Sequence, residues 1–191
     1  MTERRERVRT SVLGATLDLL DEVGVQGLTF ESVAARSGVA KTTIYRHWPT
    51  KAQLTIEALS VMHEPSPTPN SGDLRADLRA CFVAVSEHAL DDRKARIFAS
   101  VLDAAQRDPE YARLHAQRTA ESLQPLRTVL ELAQLRGQLG SDLDLDDVCD
   151  LVIGPVITRV LVTRRPIDEA FLDLLVETIV AGLGAPARTS A

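Results

Sequence analysis

Apolar residues recur at intervals of three and four along most of the chain, which is the period of an α-helix with one buried face. The first such segment spans 4–23, and Gly24 and Gly27 are expected to end it. Its apolar positions are Val8, Val12, Ala15, Leu19 and Val23. No stretch alternates with the two-residue period of a half-buried strand. The pattern therefore predicts an all-α fold.

Three short helices are predicted next. Thr29 is an N-cap candidate for the second helix, which ends at 37–38. The third runs over 41–48 and is ended by Pro49, because proline cannot continue a helix. The fourth spans 50–62 and opens with Thr-Lys-Ala-Gln, which has the form of a capping box.

Proline then interrupts the helical pattern at 63–73, where three prolines fall within five positions. No helix continues through such a segment. We therefore expect a loop here, between a first domain over 1–62 and a second helical domain over 74–185.

The second domain is predicted to contain five helices, which brings the total to about nine. They cover 74–90, 93–107, 108–136, 144–165 and 167–183. Pro125 is expected to kink or split the longest of them. Residues 137–143 are predicted to form a turn.

Residues 30–49 contain small and apolar residues in the order that a helix-turn-helix requires. The small Ala34 lets the two helices cross closely, and Gly38 can take the positive φ of a tight turn. Val39 and Ile44 fasten the second helix to the first. The outer face of the second helix then remains free for the major groove of DNA.

That outer face is polar, and its side chains suit contacts with DNA. Lysine and arginine can donate to guanine, threonine can bond a base or touch a thymine methyl group, and tyrosine and histidine can reach phosphates. The predicted DNA-binding residues are Thr29, Lys41, Thr42, Thr43, Tyr45, Arg46, His47 and Lys51.

Two residues of this region allow more than one interpretation. Lys51 lies in the first turn of the fourth helix, where the helix dipole disfavours a cation. A bound phosphate would explain it, but a solvated lysine costs only roughly a few tenths of a kcal/mol there. Trp48 is expected to be a core residue between the first and fourth helices. The four arginines within 4–9 either form a solvated helix start or touch the DNA backbone.

Charge is distributed unevenly. The chain has a net charge of −5, yet its first 51 residues hold eight Lys and Arg against six Asp and Glu. A positive start on an acidic body suggests that one end approaches an anionic partner. No apolar run is long enough to span a membrane and no signal peptide is recognisable, so a cytoplasmic protein is expected.

Chemistry beyond binding finds no support in the sequence. The histidines at 47, 63, 88 and 115 lack metal-ligand spacing, so neither a metal nor a cofactor is expected. Cys81 and Cys149 read as buried free thiols, and a redox pair, the alternative, would lack a close-spaced motif. No nucleophile–base pair, glycine-rich phosphate loop or apolar pair of carboxylates is recognisable. We therefore expect no enzymatic activity.

The stretch LTFESVAARSGVAKTTIYRHWPTKAQL, residues 28–54, resembles the DNA-binding region of the TetR family of bacterial transcriptional regulators. The specific feature is Tyr-x-His, followed by an aromatic residue and by a lysine three residues on. Ala40 stands where the family often has serine, so an N-cap worth about 1 kcal/mol is expected to be missing. Trp48 replaces the commoner phenylalanine.

This likeness covers about residues 8–60, and parts of the remainder resemble the C-terminal domain of one large subgroup. Those parts are RDPEYARLHAQR, IGPVITRVLVTRRP and DEAFLDLLVETIV. The resemblance implies an all-α homodimer whose domain 1–62 binds a palindromic operator. Domain 74–185 would dimerise and bind a small-molecule effector that releases the DNA.

The resemblance thus implies a repressor, while an activator of the same family and a constitutive DNA-binding factor without effector are alternatives. An interaction module that uses the acidic helical domain to bind another protein is a further alternative. It predicts no sequence-specific DNA binding.

A dimer interface is expected around 148–162, which is apolar nearly all round. A helix without a polar face must be covered on both sides, and a partner chain can cover one of them. A central buried helix in a monomer is the alternative. The predicted interface residues are Val152, Val156, Ile157, Val160, Phe171, Leu175 and Ile179.

An effector cavity is harder to locate from the sequence. The candidate ligand-binding residues are Phe82, Phe98, Leu102, His115 and Arg118. They favour a mostly apolar ligand with one anionic or polar end. Core packing is the alternative interpretation of the apolar ones.

Overall fold

The computed structural model describes residues 2–62, 67–89 and 92–184, without the side chains of Thr2 and 84–89. Within these ranges the chain forms nine α-helices and one π-helical segment and no strand, which confirms the all-α prediction. The helices are α1 Thr2–Gly27, α2 Phe30–Ser37, α3 Lys41–His47, α4 Lys51–Ser60, α5 Leu74–Ala89, α6 Asp92–Arg107, α7 Pro109–Leu135, α8 Leu145–Ile157 and α9 Glu169–Leu183. The π-helical segment is Thr158–Thr163.

Side-chain caps fix where several of these helices begin. The backbone N–H of Ser32 donates to Oγ1 of Thr29 at 3.1 Å, and the backbone N–H of Thr29 donates to Oγ of Ser32 at 3.2 Å. This reciprocal pair is a capping box at the start of α2. Thr50, Asp144 and Asp168 likewise accept backbone N–H groups at the starts of α4, α8 and α9.

Gly24 and Gly38 are two of the four glycines of the described ranges that take a positive φ, which other residues avoid. Gly38 ends α2 with φ 69° and ψ 12°, and its N–H donates to the carbonyl of Ala34 at 3.1 Å. Gly24 interrupts the helical geometry of α1 with φ 65° and ψ −176°. A β-carbon at Gly24 would lie 2.8 Å from Oγ of Ser100, whereas one at Gly38 would meet open space.

The two internal prolines behave differently. Pro125 does not split its helix, since α7 continues through it. We attribute this to Leu126 and Val129, which are buried just beyond it. Pro155, in contrast, precedes a change to π-helical geometry at 158–163, so the helix predicted over 144–165 is not uniform. Proline removes one helical hydrogen bond and crowds the preceding turn, which weakens the helix at this point.

Packing divides the described chain into two units. The first contains 2–62 and 92–120, and the second contains 67–89 and 121–184. In the first unit α1 packs against α2, α4 and α6. Because α6 and the start of α7 pack with the N-terminal helices, the packing units differ from the division predicted at 63–73. A division of functions at that loop stays a prediction.

The second unit has its own core, in which α5 packs against α9. Asp77 is a buried carboxylate at its edge, and it accepts a hydrogen bond at 2.7 Å from the backbone N–H of Ser71. Burial alone would raise the pKa of Asp77. The hydrogen bonds from Ser71 and Gly72 and the charge of Arg136 outweigh that effect and hold the pKa below its usual value.

Alanine substitutions at Gly24 and Gly38 should distinguish the free-energy cost of backbone strain from the cost of steric overlap with a neighbouring side chain. Gly38→Ala should cost about 1–2 kcal/mol of unfolding free energy, because only the left-handed conformation penalises it. Gly24→Ala should cost roughly 2–4 kcal/mol, because it also displaces the Ser100 hydroxyl that accepts from Val25 N–H at 2.7 Å. Urea unfolding measures both, and equal losses would contradict the overlap at Gly24.

Asp77→Asn should lower the unfolding free energy at neutral pH by about 1–3 kcal/mol, because the buried carboxylate loses charge-assisted hydrogen bonds. Because the pKa of Asp77 is lower in the folded than in the unfolded state, its ionised carboxylate stabilises the fold at pH values above the unfolded-state pKa. This stabilisation is lost as the pH falls through the folded-state pKa. The gap between wild type and variant should therefore shrink between about pH 5 and pH 2. A gap that stays constant over that range would contradict the assignment.

Candidate nucleic-acid interface

The residues around α3 form a helix-turn-helix in which one face is buried and the other is open. Val33 of α2 and Ile44 of α3 are both fully buried in the core of the first unit. The turn between the two helices is made by Gly38, Val39 and Ala40. The side chains of Thr42, Tyr45, Arg46 and His47 are exposed on α3. The predicted outer face is therefore available to a partner.

Lys41 is already paired with an acidic side chain of its own chain. Its ammonium forms an ion pair with Glu31 of α2 and lies 5.4 Å from the ring centroid of Tyr45. The hydrogen bond between them lowers the pKa of Glu31 and raises the pKa of Lys41. The ring of Tyr45 in turn lies 4.1 Å from that of Phe30, between centroids. A DNA group that contacts Lys41 must therefore share its ammonium with Glu31 or displace that carboxylate.

Lys51 makes a contact within its own chain, and its role as a phosphate ligand stays a prediction. Its Nζ is half-buried and donates to the carbonyl of Val25 at 3.0 Å. The cation thus sits beside the C-terminal end of α1, where a helix dipole favours positive charge. This contact compensates for the unfavourable position of Lys51 in the first turn of α4.

Trp48 is a core residue, as predicted, with 3% of its surface exposed. Its Nε1–H donates to Oε2 of Glu57 at 2.7 Å. Oε1 of Glu57 accepts at 2.7 Å from Nε of Arg9, which is therefore not part of a solvated helix start. Glu57 was not among the predicted site residues, because nothing in the spacing of α4 singles it out.

Two further predicted DNA-binding residues, Thr29 and Thr43, also contribute to the fold. Thr29 caps α2, and Thr43 is half-buried on α3. Ala40 provides no side-chain hydrogen bond to the start of α3, as its replacement of serine predicts. Among the described residues, Arg46 has no ion-pair partner.

The candidate ligand-binding residues are distributed over both packing units. Phe82 belongs to the buried core of the second unit, with 2% of its surface exposed. Phe98, Leu102, His115 and Arg118 are half-buried in the first unit. The rings of Phe98 and His115 lie 5.7 Å apart, between centroids, and burial lowers the pKa of His115. Nε of Arg118 is buried and lacks a hydrogen-bond partner within the described ranges.

The predicted dimer interface requires a correction. Val152, Val156, Leu175 and Ile179 are buried inside their own chain, so they cannot present an outer face. Ile157, Val160 and Phe171 are half-buried. The exposed apolar side chains of the same helices are Leu151 of α8 and Leu174 of α9, at 60% and 65%. A helix that is apolar all round does not reveal from sequence which face points inward.

Other chemistry is sparse in the part of the chain that the structure describes. No group of three or more His, Cys, Asp or Glu there is arranged to hold a metal ion. Cys81 and Cys149 are free thiols, and burial raises the pKa of Cys81 to about 11. Such a thiol is a poor nucleophile at neutral pH. Of the described helices, none combines the length and apolar character needed to cross a bilayer.

Comparison with protein families accounts for most of the chain. Residues 12–58 match the family of bacterial regulatory proteins described as the tetR family. Residues 68–179 match the family described as tetracyclin repressor-like, C-terminal domain. The two matches cover the helix-turn-helix and most of the helices that follow α4.

Individual relatives agree with these matches. The chain is 30% identical over 190 residues to the DNA-binding transcriptional repressor TetR of Mycobacteroides abscessus, covering 97% of this chain and 98% of that protein. It is 28% identical to the uncharacterized regulator YdeS of Bacillus subtilis, covering 97% and 94%. The crystal structure of the TetR family transcription regulator SCO0332 shares 35% identity and a TM-score of 0.69, covering 92% and 98%. The chain is therefore a helix-turn-helix transcriptional regulator and not an enzyme, and it belongs to the TetR family.

Proposed function

We propose that this regulator is a repressor that binds a palindromic operator as a homodimer and leaves it when a small molecule binds. The observation that carries the proposal is the polar outer face of α3, which is exposed while Ile44 on the inner face is fully buried. A short helix held in this way is suited to the major groove. The name of the Mycobacteroides relative, a DNA-binding repressor, supports repression over activation.

Arg46 is the strongest candidate for reading a base. It is exposed on α3, and among the described residues it has no ion-pair partner to give up. Its guanidinium can donate two parallel hydrogen bonds to guanine. Thr42 and Tyr45, on the same exposed face, are suited to contacts with bases or phosphates.

Arg46→Ala should weaken operator binding by about 1–3 kcal/mol, because a bidentate contact with guanine is lost. DNA from upstream of the protein's own gene is the first operator candidate, and fluorescence anisotropy measures the affinity. Arg107→Ala is the matched control, since Arg107 is an exposed arginine that pairs within α6 with Asp103. If the Arg46→Ala variant binds the operator as tightly as the Arg107→Ala control, the proposal that Arg46 on α3 reads a base is wrong.

Dimerisation is proposed through the exposed apolar side chains of α8 and α9. Leu151 and Leu174 lie on the two helices that the sequence identified as apolar, and they stay exposed when the chain is alone. A two-fold axis would present the same surface twice, as closed dimers require. It would also place two α3 helices roughly 34–36 Å apart or somewhat more, which matches successive major grooves.

The double variant Leu151→Asp, Leu174→Asp should be monomeric, because charges in a dry interface are unpaired. Sedimentation equilibrium at micromolar concentration measures the mass. Leu135→Asp is the control, since Leu135 is 84% exposed at the end of α7. A wild-type protein that is monomeric, or a double variant that still dimerises, would contradict this interface.

The effector is proposed to be a mostly apolar molecule with an anionic or polar end. Within the described ranges Nε of Arg118 is buried and has no hydrogen-bond partner, and the half-buried Phe98 and His115 supply adjoining rings. Release of DNA requires that the ligand prefers the conformation with wrongly spaced α3 helices. Operator DNA must then weaken ligand binding by the same factor.

A thermal-shift screen of apolar carboxylic acids and neutral analogues should identify ligands that bind wild type more tightly than Arg118→Met. Each ligand is then titrated with and without operator DNA. Affinity should fall when the operator is present, by reciprocity. Ligands that bind equally in both titrations would leave a constitutive DNA-binding factor as the function.

A further inference from the structure

The carboxylate of Glu57 joins three separate helical elements of the first unit. Its Oε2 accepts the indole N–H of Trp48, just past the end of α3, at 2.7 Å. Its Oε1 accepts Nε of Arg9, from α1, at 2.7 Å. Glu57 itself lies on α4. One side chain therefore connects the end of the exposed helix to both helices beneath it.

Both ends of α3 make polar contacts, an exposed ion pair of Lys41 with Glu31 at the start and the part-buried bond of Trp48 with Glu57 just past the end. At the start of α3, Ala40 offers no side-chain hydrogen bond to cap the helix. With seven residues, α3 is too short to be stable without tertiary contacts. Trp48 follows it directly, donates its backbone N–H to the carbonyl of Ile44 at 2.8 Å, and is almost fully buried. The buried Trp48 indole, in its particular orientation, thus anchors the C-terminal end of α3 in the core.

The bond to Glu57 fixes that orientation in a way that packing alone does not. An indole has a single polar donor, and a buried donor must be paired. An ionised acceptor makes the bond directional and strong. Arg9 keeps the carboxylate turned toward Trp48, because it occupies the second oxygen.

We propose that Glu57 is a positioning residue for DNA recognition, which sets the angle of α3 through Trp48 and is itself oriented by Arg9. The inference rests on the proposed DNA-binding function. Glu57 is not on the outer face of α3, so its loss leaves every candidate DNA contact in place. Selective recognition of the operator should therefore suffer more than general attraction to phosphate.

Glu57→Leu removes the acceptor, Glu57→Gln keeps an oxygen acceptor without charge, and Trp48→Phe removes the indole donor. Glu131→Gln is the matched control, because Glu131 forms an i,i+4 pair with Arg127 on α7. Affinity is measured by anisotropy for the operator and for a scrambled duplex of the same length, well below the melting temperature of each variant. Trp48 is the single tryptophan of the chain, so its emission reports on the indole directly.

Glu57→Leu should shift the Trp48 emission and weaken operator binding about 10-fold, with scrambled DNA affected less than about 2-fold. Glu57→Gln should retain most of the wild-type emission and affinity, since its amide oxygen can still accept. In a Trp48→Phe background, Glu57→Leu should have little further effect, because the donor is already absent. Glu131→Gln should match wild type.

The positioning role would be overturned if Glu57→Leu lost affinity equally for operator and scrambled DNA. It would also be overturned if the effects of the Trp48 and Glu57 substitutions on operator affinity were fully additive. Unchanged operator affinity in Glu57→Leu would overturn it as well. If Glu57→Leu fails to fold, the comparison of Glu57→Gln with Trp48→Phe decides, and equal wild-type affinity in both would reject the inference. A wild-type protein that binds no operator would instead reject the proposed function.

Discussion

The burial of Ile44 and Trp48 in the N-terminal core is the constraint on which the rest of the recognition surface depends. Ile44 is fully buried and Trp48 nearly so, and they lie at the inner face and the end of α3. Because the helix is short, this burial rather than intrinsic helix stability keeps it formed. Every exposed side chain on the outer face takes its direction from those two anchors.

The cations near this surface are mostly committed to the fold. Lys41 is paired with Glu31, Lys51 bonds the end of α1, and Arg9 is paired with Glu57. The positive charge that the sequence places in the first 51 residues is therefore not all available to DNA. Arg46 differs, since no ion-pair partner for it lies among the described residues. Selectivity would then depend on a few free donors that are rigidly held.

The sequence predicted those features that local physics decides. Thr29 and Thr50 identified helix starts, Gly38 identified a left-handed turn, and Ala40 indicated a missing cap, because each effect acts within one helical turn. The continuation of α7 through Pro125 was not predictable in the same way, since it depends on tertiary packing, here the burial of Leu126 and Val129, which a local pattern does not show.

Long-range partners were not predictable from a single sequence. Glu57 and Trp48 are nine positions apart, and Glu57 and Arg9 are forty-eight apart. Only the packing of α1 against α4 brings these groups together. The inward face of α8 was equally hidden, because Leu151 and Val152 are both apolar although one is exposed and the other buried.

The most direct measurement is selection of bound sequences from a random DNA pool by the full-length protein. The account predicts an inverted repeat whose half-sites lie about one helical turn apart, with a guanine in each half-site that loses its enrichment in Arg46→Ala. A motif without two-fold symmetry, the same motif in Arg46→Ala, or no enriched motif at all would contradict it.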